Sequence, residues 1–123
     1  MIFVDEAAVA GPVRAAAEAM AAFVCEDLEL EPCGVLWYDA AAGVRGVYVA
    51  IGGAAPVVAL NSRRSPRQVA RTVAHELRHA WQSRQGVLSG LAGPDLEKDA
   101  RRYAAAASRC MVAGSGAVTT ATM

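Results

Sequence analysis

Both histidines of the 123-residue chain fall in one stretch of five residues, His75-Glu76-Leu77-Arg78-His79. Side chains four apart on a helix lie one turn apart on the same face, close enough for two imidazoles to share one metal ion. Such an HExxH segment suits zinc hydrolysis. Neutral imidazoles leave a coordination position open for water, and the carboxylate of Glu76 stands beside it to take up a proton. Catalytic zinc takes three protein ligands, so one more must come from elsewhere. A third histidine six residues beyond the second, the metzincin arrangement, is excluded because that position is Gln85 and no other histidine exists. Carboxylates and cysteines remain. Glu97 borders the apolar stripe of the last predicted helix and can reach inward from it. The same residue also fits a surface ion pair with Arg101 at i, i+4, and spacing alone does not choose between the two.

The motif needs a helix, and the sequence supplies its signals. Ser65-Pro66-Arg67-Gln68 reads as an N-cap, a proline at the first helical position and a glutamine closing a capping box, with Gly86 as the stop. At about 100° per residue, Val69, Ala70, Val73, Ala74, Leu77, Ala80 and Trp81 gather on one broad apolar face. His75 and His79, with Thr72 and Gln68, fall on the opposite side. The core face is thus already filled, so the histidines are expected to face solvent or a cleft, with Glu76 at its margin.

Ahead of this helix, residues 1 to 4 read as a short strand and Pro12 opens a helix to about Asp27, its apolar positions Val13, Ala16, Ala17, Met20, Phe23 and Val24 recurring at helical spacing. Val35 to Tyr38 and Val47 to Ile51 are aromatic and β-branched, and their Gly- and Ala-rich link predicts a hairpin. Pro56 to Asn61 is a further strand, giving a sheet of three or four. After a Gly-rich loop from Gly86 to Gly93, Pro94 opens a last helix with the stripe Leu96, Ala100, Tyr103, Ala107 and Cys110. Residues 112–123 read as a flexible tail. No internal repeat is present, and residues 1–123 are expected to form one α+β domain.

A composition 54% hydrophobic and 20% charged is that of a folded chain. Twelve basic and twelve acidic residues cancel, which gives no support to a nucleic-acid or membrane-surface role. The charges are unevenly placed: acidic residues crowd the first third, while Arg63, Arg64, Arg67, Arg71, Arg78 and Arg84 surround the motif, a pattern read as two solvated faces. Without aromatic interleaving, that arginine-rich segment is a poor nucleic-acid site. Cys25, Cys33 and Cys110 are odd in number and lack a CxxC pair, so a reducing compartment is expected. No secretory signal and no membrane-spanning stretch is read, which predicts a cytoplasmic protein.

His-Glu-Leu-Arg-His-Ala-Trp-Gln followed by Glu-x-x-Ala-x-x-Tyr-Ala resembles the gluzincin metallopeptidases over about residues 65 to 107, and most of all the minimal gluzincins. The resemblance implies a small zincin-like domain, with HExxH on an active-site helix and the third ligand on the next. It makes His75, His79 and Glu97 the ligands of Zn2+, and Glu76 the general base that activates water on the metal for hydrolysis of a peptide or protein substrate. It also implies that the strand ending at Leu60-Asn61 rims the cleft, where an extended peptide adds to the sheet. One departure stands out. Many gluzincins carry Asp or Asn four residues after the ligand glutamate to support a ligand histidine; here it is Arg101, which cannot accept a hydrogen bond. Asp95, Asp99 or a backbone carbonyl are the substitutes, and Tyr38, Tyr48, Tyr103 or an arginine the candidate oxyanion donors. Two alternatives remain. One is a binding or regulatory module of the same fold without turnover. The other is a hydrolase similar to the peptide deformylases, with Cys33 of Glu31-Pro32-Cys33-Gly34 as third ligand.

Overall fold

A computed structural model describes residues 2–41, 43, 45–49, 55–85 and 93–121; for residues 2, 47–49 and 112–121 the description is of backbone alone. Strand β1 (Ile2–Val4) and a single 3-10 turn at Glu6–Ala8 precede helix α1 (Gly11–Asp27), which has Pro12 in its first turn. The helix ends in a Schellman motif. Leu30 N–H donates to the Cys25 carbonyl at 2.8 Å and Glu29 N–H to that of Glu26 at 3.3 Å. Closing it requires a left-handed residue, and Glu29 takes that role with φ 54°.

Strands β2 (Gly34–Asp39), β3 (Val47–Val49) and β4 (Val57–Asn61) join β1 in a mixed sheet of order β1-β2-β4-β3. The expected hairpin between β2 and β3 does not form. β4 lies between them, parallel to β2 and antiparallel to β3. The reason lies in burial: Val58, Ala59 and Leu60 are closed off on both faces, so this strand takes the sheet interior, while the shorter β3 takes an edge. One consequence bears on the expected cleft: over Val57–Ala59 both backbone edges of β4 are paired, by β2 and β3, so among the described residues the sheet edge on that side is β3, while Leu60 and Asn61 pair with β2 alone.

Helix α2 (Pro66–Gln85) begins with the capping box read from the sequence: Ser65 N–H donates to Oε1 of Gln68 at 3.0 Å, and Gln68 N–H donates to Oγ of Ser65 at 3.2 Å. It packs between α1 and α3 (Gly93–Ala121) and against the sheet. Val69, Val73 and Leu77 are fully enclosed with Val13, Ala17, Met20 and Val24 of α1 and Trp37, Val58 and Leu60 of the sheet. Ala100, Ala104 and Ala107 bring α3 close to this core. Flanked on two sides, α2 buries more than its apolar face. Thr72, expected outside, is only 8% exposed, and Gln82 only 5%. Thr72 is covered because Gly46 comes tightly onto it. A Cβ on Gly46 would sit 2.5 Å from the Ala59 carbonyl oxygen and 2.9 Å from Cγ2 of Thr72.

The expected loop from Gly86 lies outside the described residues up to position 92, and Gly93 belongs to α3. The α3 backbone continues as helix to Ala121, over residues whose composition predicts an aperiodic tail. No helix among the described residues is long and apolar enough to cross a membrane.

Candidate metal centre

One turn of α2 presents His75 and His79 on the side facing α3, with their rings edge to face and centroids 4.7 Å apart. Their side chains are 22% and 25% exposed, the half-open setting of a cleft wall. From the first turns of α3, Glu97 reaches across. Its Oε1 lies 2.8 Å from Nε2 of His75 and its Oε2 3.1 Å from Nε2 of His79. One ligating atom from each of the three residues can be chosen so that all lie within 4.8 Å of one another, and no other such group of histidine, cysteine and carboxylate occurs among the described residues. The ion pair read as the alternative role of Glu97 is present too: Nε of Arg101 donates to Oε1 at 3.2 Å. One carboxylate thus faces both histidines and Arg101.

The remaining imidazole nitrogens are also engaged. Nδ1 of His75 lies 2.9 Å from Oε2 of Glu76, whose side chain is 16% exposed. Nδ1 of His79 lies 2.7 Å from Oε1 of Gln82. The Gln82 amide is held by two donations from its Nε2, to the Leu96 carbonyl at 2.8 Å and to Oδ2 of Asp99 at 2.9 Å, which turns Oε1 toward the histidine. Gln82 is thus the support that the sequence reading missed. Its signal was available: it stands three residues after His79, on the same helix face. Asp99 serves one step removed, through Gln82, while Asp95 is exposed.

A stacked arginine sets the spacing of the two helices. Arg78 donates to Asp99 through Nε at 2.7 Å and Nη2 at 3.2 Å, and its guanidinium lies 3.9 Å from the Trp81 ring centroid and 4.9 Å from that of Tyr103. This bidentate, ring-packed contact ties α2 to α3 two residues beyond Glu97. It holds the Asp99 carboxyl below the usual carboxylate range, and Gln82 adds to the effect. At His75 the hydrogen bond to Glu76 raises the imidazole pKa, outweighing burial, and Glu97 adds to the rise. At Glu97 burial pushes upward, but His75 and then His79 together hold the carboxyl low.

Other candidates are occupied elsewhere. Tyr103 donates its hydroxyl to Oδ2 of Asp27 at 2.7 Å, and Tyr38 donates to the Arg45 carbonyl. The side chain of Tyr48 lies outside the described residues. Cys33 lies with Cys25 on a cavity between α1 and β2, outside the histidine cluster. Burial first, then Cys25, push its thiol up to about 12, against formation of the thiolate that a metal needs.

Comparison of the chain with protein-family models, curated proteins and solved structures gave no match.

Proposed function

We propose that the chain is a small zinc-dependent peptidase of the gluzincin type, in which His75, His79 and Glu97 hold the metal and Glu76 is the general base. One observation carries this reading: all four imidazole nitrogens face oxygen acceptors. A neutral imidazole has a single N–H to donate. With each Nδ1 donating to Glu76 or Gln82, each Nε2 turns a lone pair toward the Glu97 carboxylate. That contact is repulsive unless a second proton or a shared cation lies there. Two nitrogens and a carboxylate oxygen are the donor set of a catalytic zinc site, and the oxygen behind each Nδ1 is the support such ligands use. The α+β architecture, with the motif helix next to the glutamate helix, supports a minimal zincin-like domain.

Zinc held there supplies Lewis acidity toward a peptide carbonyl and eases deprotonation of water near neutral pH. Glu76 receives the proton of the attacking water and delivers it to the departing amine. Arg78 and Asp99 keep the two helices at the spacing that lets Glu97 face both rings. The edge strand β3, which borders α2, is the strand to which an extended substrate backbone can add.

A second reading, a metal-binding module without turnover, is favoured by one fact: the hydroxyls of Tyr38 and Tyr103 are spent on structural contacts. Zinc analysis and cleavage of unfolded protein by wild type and Glu76→Gln separate the readings. Stoichiometric zinc in both with cleavage by wild type alone is the expected result. Zinc without cleavage by either selects the module, and absence of zinc binding overturns both.

A further inference from the structure

Beside His75 and Glu76 opens a cleft of about 420 Å³, a volume within the range of small-ligand sites. Its walls carry four arginines from four separate segments: Arg45 before β3, Arg64 after β4, Arg71 on α2 and Arg101 on α3. Among the described residues, the one acidic residue lining it is Glu76, whose Oε2 is engaged by His75. Arg45, Arg71 and Arg101 are exposed. Among the described residues, Arg45 and Arg71 are ion-paired with no carboxylate, whereas Arg63 and Arg78, from the same basic stretch, are held by Asp39 and Asp99. None of the residues outside the description between positions 42 and 92 is acidic. In a chain of zero net charge, the fold has therefore gathered two guanidinium groups without a carboxylate partner, Arg45 and Arg71, beside Arg64 and the Glu97-bound Arg101 at the edge of the histidine site.

We propose that this cleft binds a carboxylate of the substrate, so that the peptide cut at the His75-His79-Glu97 site carries negative charge next to the scissile bond. The inference rests on the hydrolytic reading above and deepens it. Guanidinium forks match carboxylates in geometry and charge, and several converging on one cleft favour an anion over a neutral side chain. Among the described residues the cleft is lined by no Phe, Tyr or Trp on which nucleobases could stack, which favours an acidic peptide over a nucleic acid. The carboxylate comes either from Asp or Glu side chains or from a free C-terminus.

Three fluorogenic peptides with blocked N-termini distinguish the sources: one with Asp and Glu flanking the bond and an amidated end, its Asn and Gln counterpart, and that counterpart with a free C-terminal carboxylate. With the zinc-loaded protein, kcat/KM for at least one carboxylate-bearing peptide exceeds that for the neutral one by roughly tenfold at low salt. The preference shrinks at 1 M NaCl, where the screening length falls to about 3 Å. Arg45→Gln combined with Arg71→Gln lowers the preference severalfold, mainly through KM, whereas Arg67→Gln, outside the cleft, retains it. Equal rates for all three peptides overturn the proposal, as does a preference unchanged in the double variant. A single-stranded oligonucleotide that competes as well as the acidic peptide also overturns it. Binding of the same peptides to zinc-loaded Glu76→Gln reads the cleft without turnover. Acid-selective binding with no cleavage by wild type upholds the cleft and fails the hydrolytic reading; cleavage without charge preference does the reverse.

Discussion

At the scale of single residues, the site is a chain of oriented acceptors. Gln82 fixes the Nδ1 side of His79, and its own amide is pinned by Leu96 and Asp99. Removing such support from a metal ligand typically costs 10- to 100-fold in affinity. Gln82→Ala is therefore expected to weaken zinc binding by about that factor, read by competition with a chromogenic chelator. An unchanged affinity would show that His79 needs no such support. His75 yields a pH dependence. Its pKa is raised above 6.5 in the metal-free protein, chiefly by Glu76. A raised folded-state value contributes stability that is fully present below the unfolded value and is lost as pH rises through the folded one. Denaturant titrations of the metal-free protein from pH 5 upward should show that loss, and His75→Gln should remove it. Zinc affinity should climb across the same interval, because the metal competes with the proton. The motif and the helix that carries it were legible from residue types and helical spacing; the approach of Glu97 to the histidines was expected from the resemblance, since spacing left it open between them and Arg101. Gln82 was not legible in that way, because the resemblance points to an acceptor on the glutamate helix, whereas the acceptor stands on the histidine helix itself.

At the scale of elements, two backbone constraints are open to direct test. Glu29 closes α1 in the left-handed region, a conformation that costs a residue with a Cβ about 1 kcal/mol and glycine almost nothing. Glu29→Gly should stabilise the protein by up to about 1 kcal/mol, seen as a higher denaturation midpoint; a lower midpoint would mean that the side chain contributes more than the strain costs. Gly46 is the opposite case. Any Cβ there meets the backbone oxygen of Ala59, which cannot move without disturbing the β3 to β4 ladder. Gly46→Ala should destabilise by about 1–3 kcal/mol. The capping box of α2 and the run of α1 follow from local sequence, since caps and periodicity act within a few residues. Sheet order did not. Pairing β2 with β4 and sending β3 to the edge depends on which strand is buried on both faces, and that is decided by helices packing from elsewhere.

At the scale of the whole molecule, the proposed ligands come from two helices, so metal binding and helix packing are linked. Zinc at a hundredfold excess over its dissociation constant adds about 2.7 kcal/mol, which raises the melting temperature on the order of 10 °C for a domain of this size. Glu97→Gln should forfeit most of that rise; a full rise in the variant would remove Glu97 from the ligand set. The sequence by itself determined the chemistry on offer and the local scaffold of its motif: two histidines at one-turn spacing, a carboxylate beside them, and a helix with its start and its apolar face. These are properties of near neighbours, set by helical geometry. Only the tertiary structure decided that β3, not β4, forms the sheet edge, that Cys33 lies apart from the histidines, and that Thr72 and Gln82 are buried. It also decided that four arginines far apart in the chain face one cleft. Each of those depends on which surfaces of distant elements exclude water together, a choice no single stretch of residues encodes.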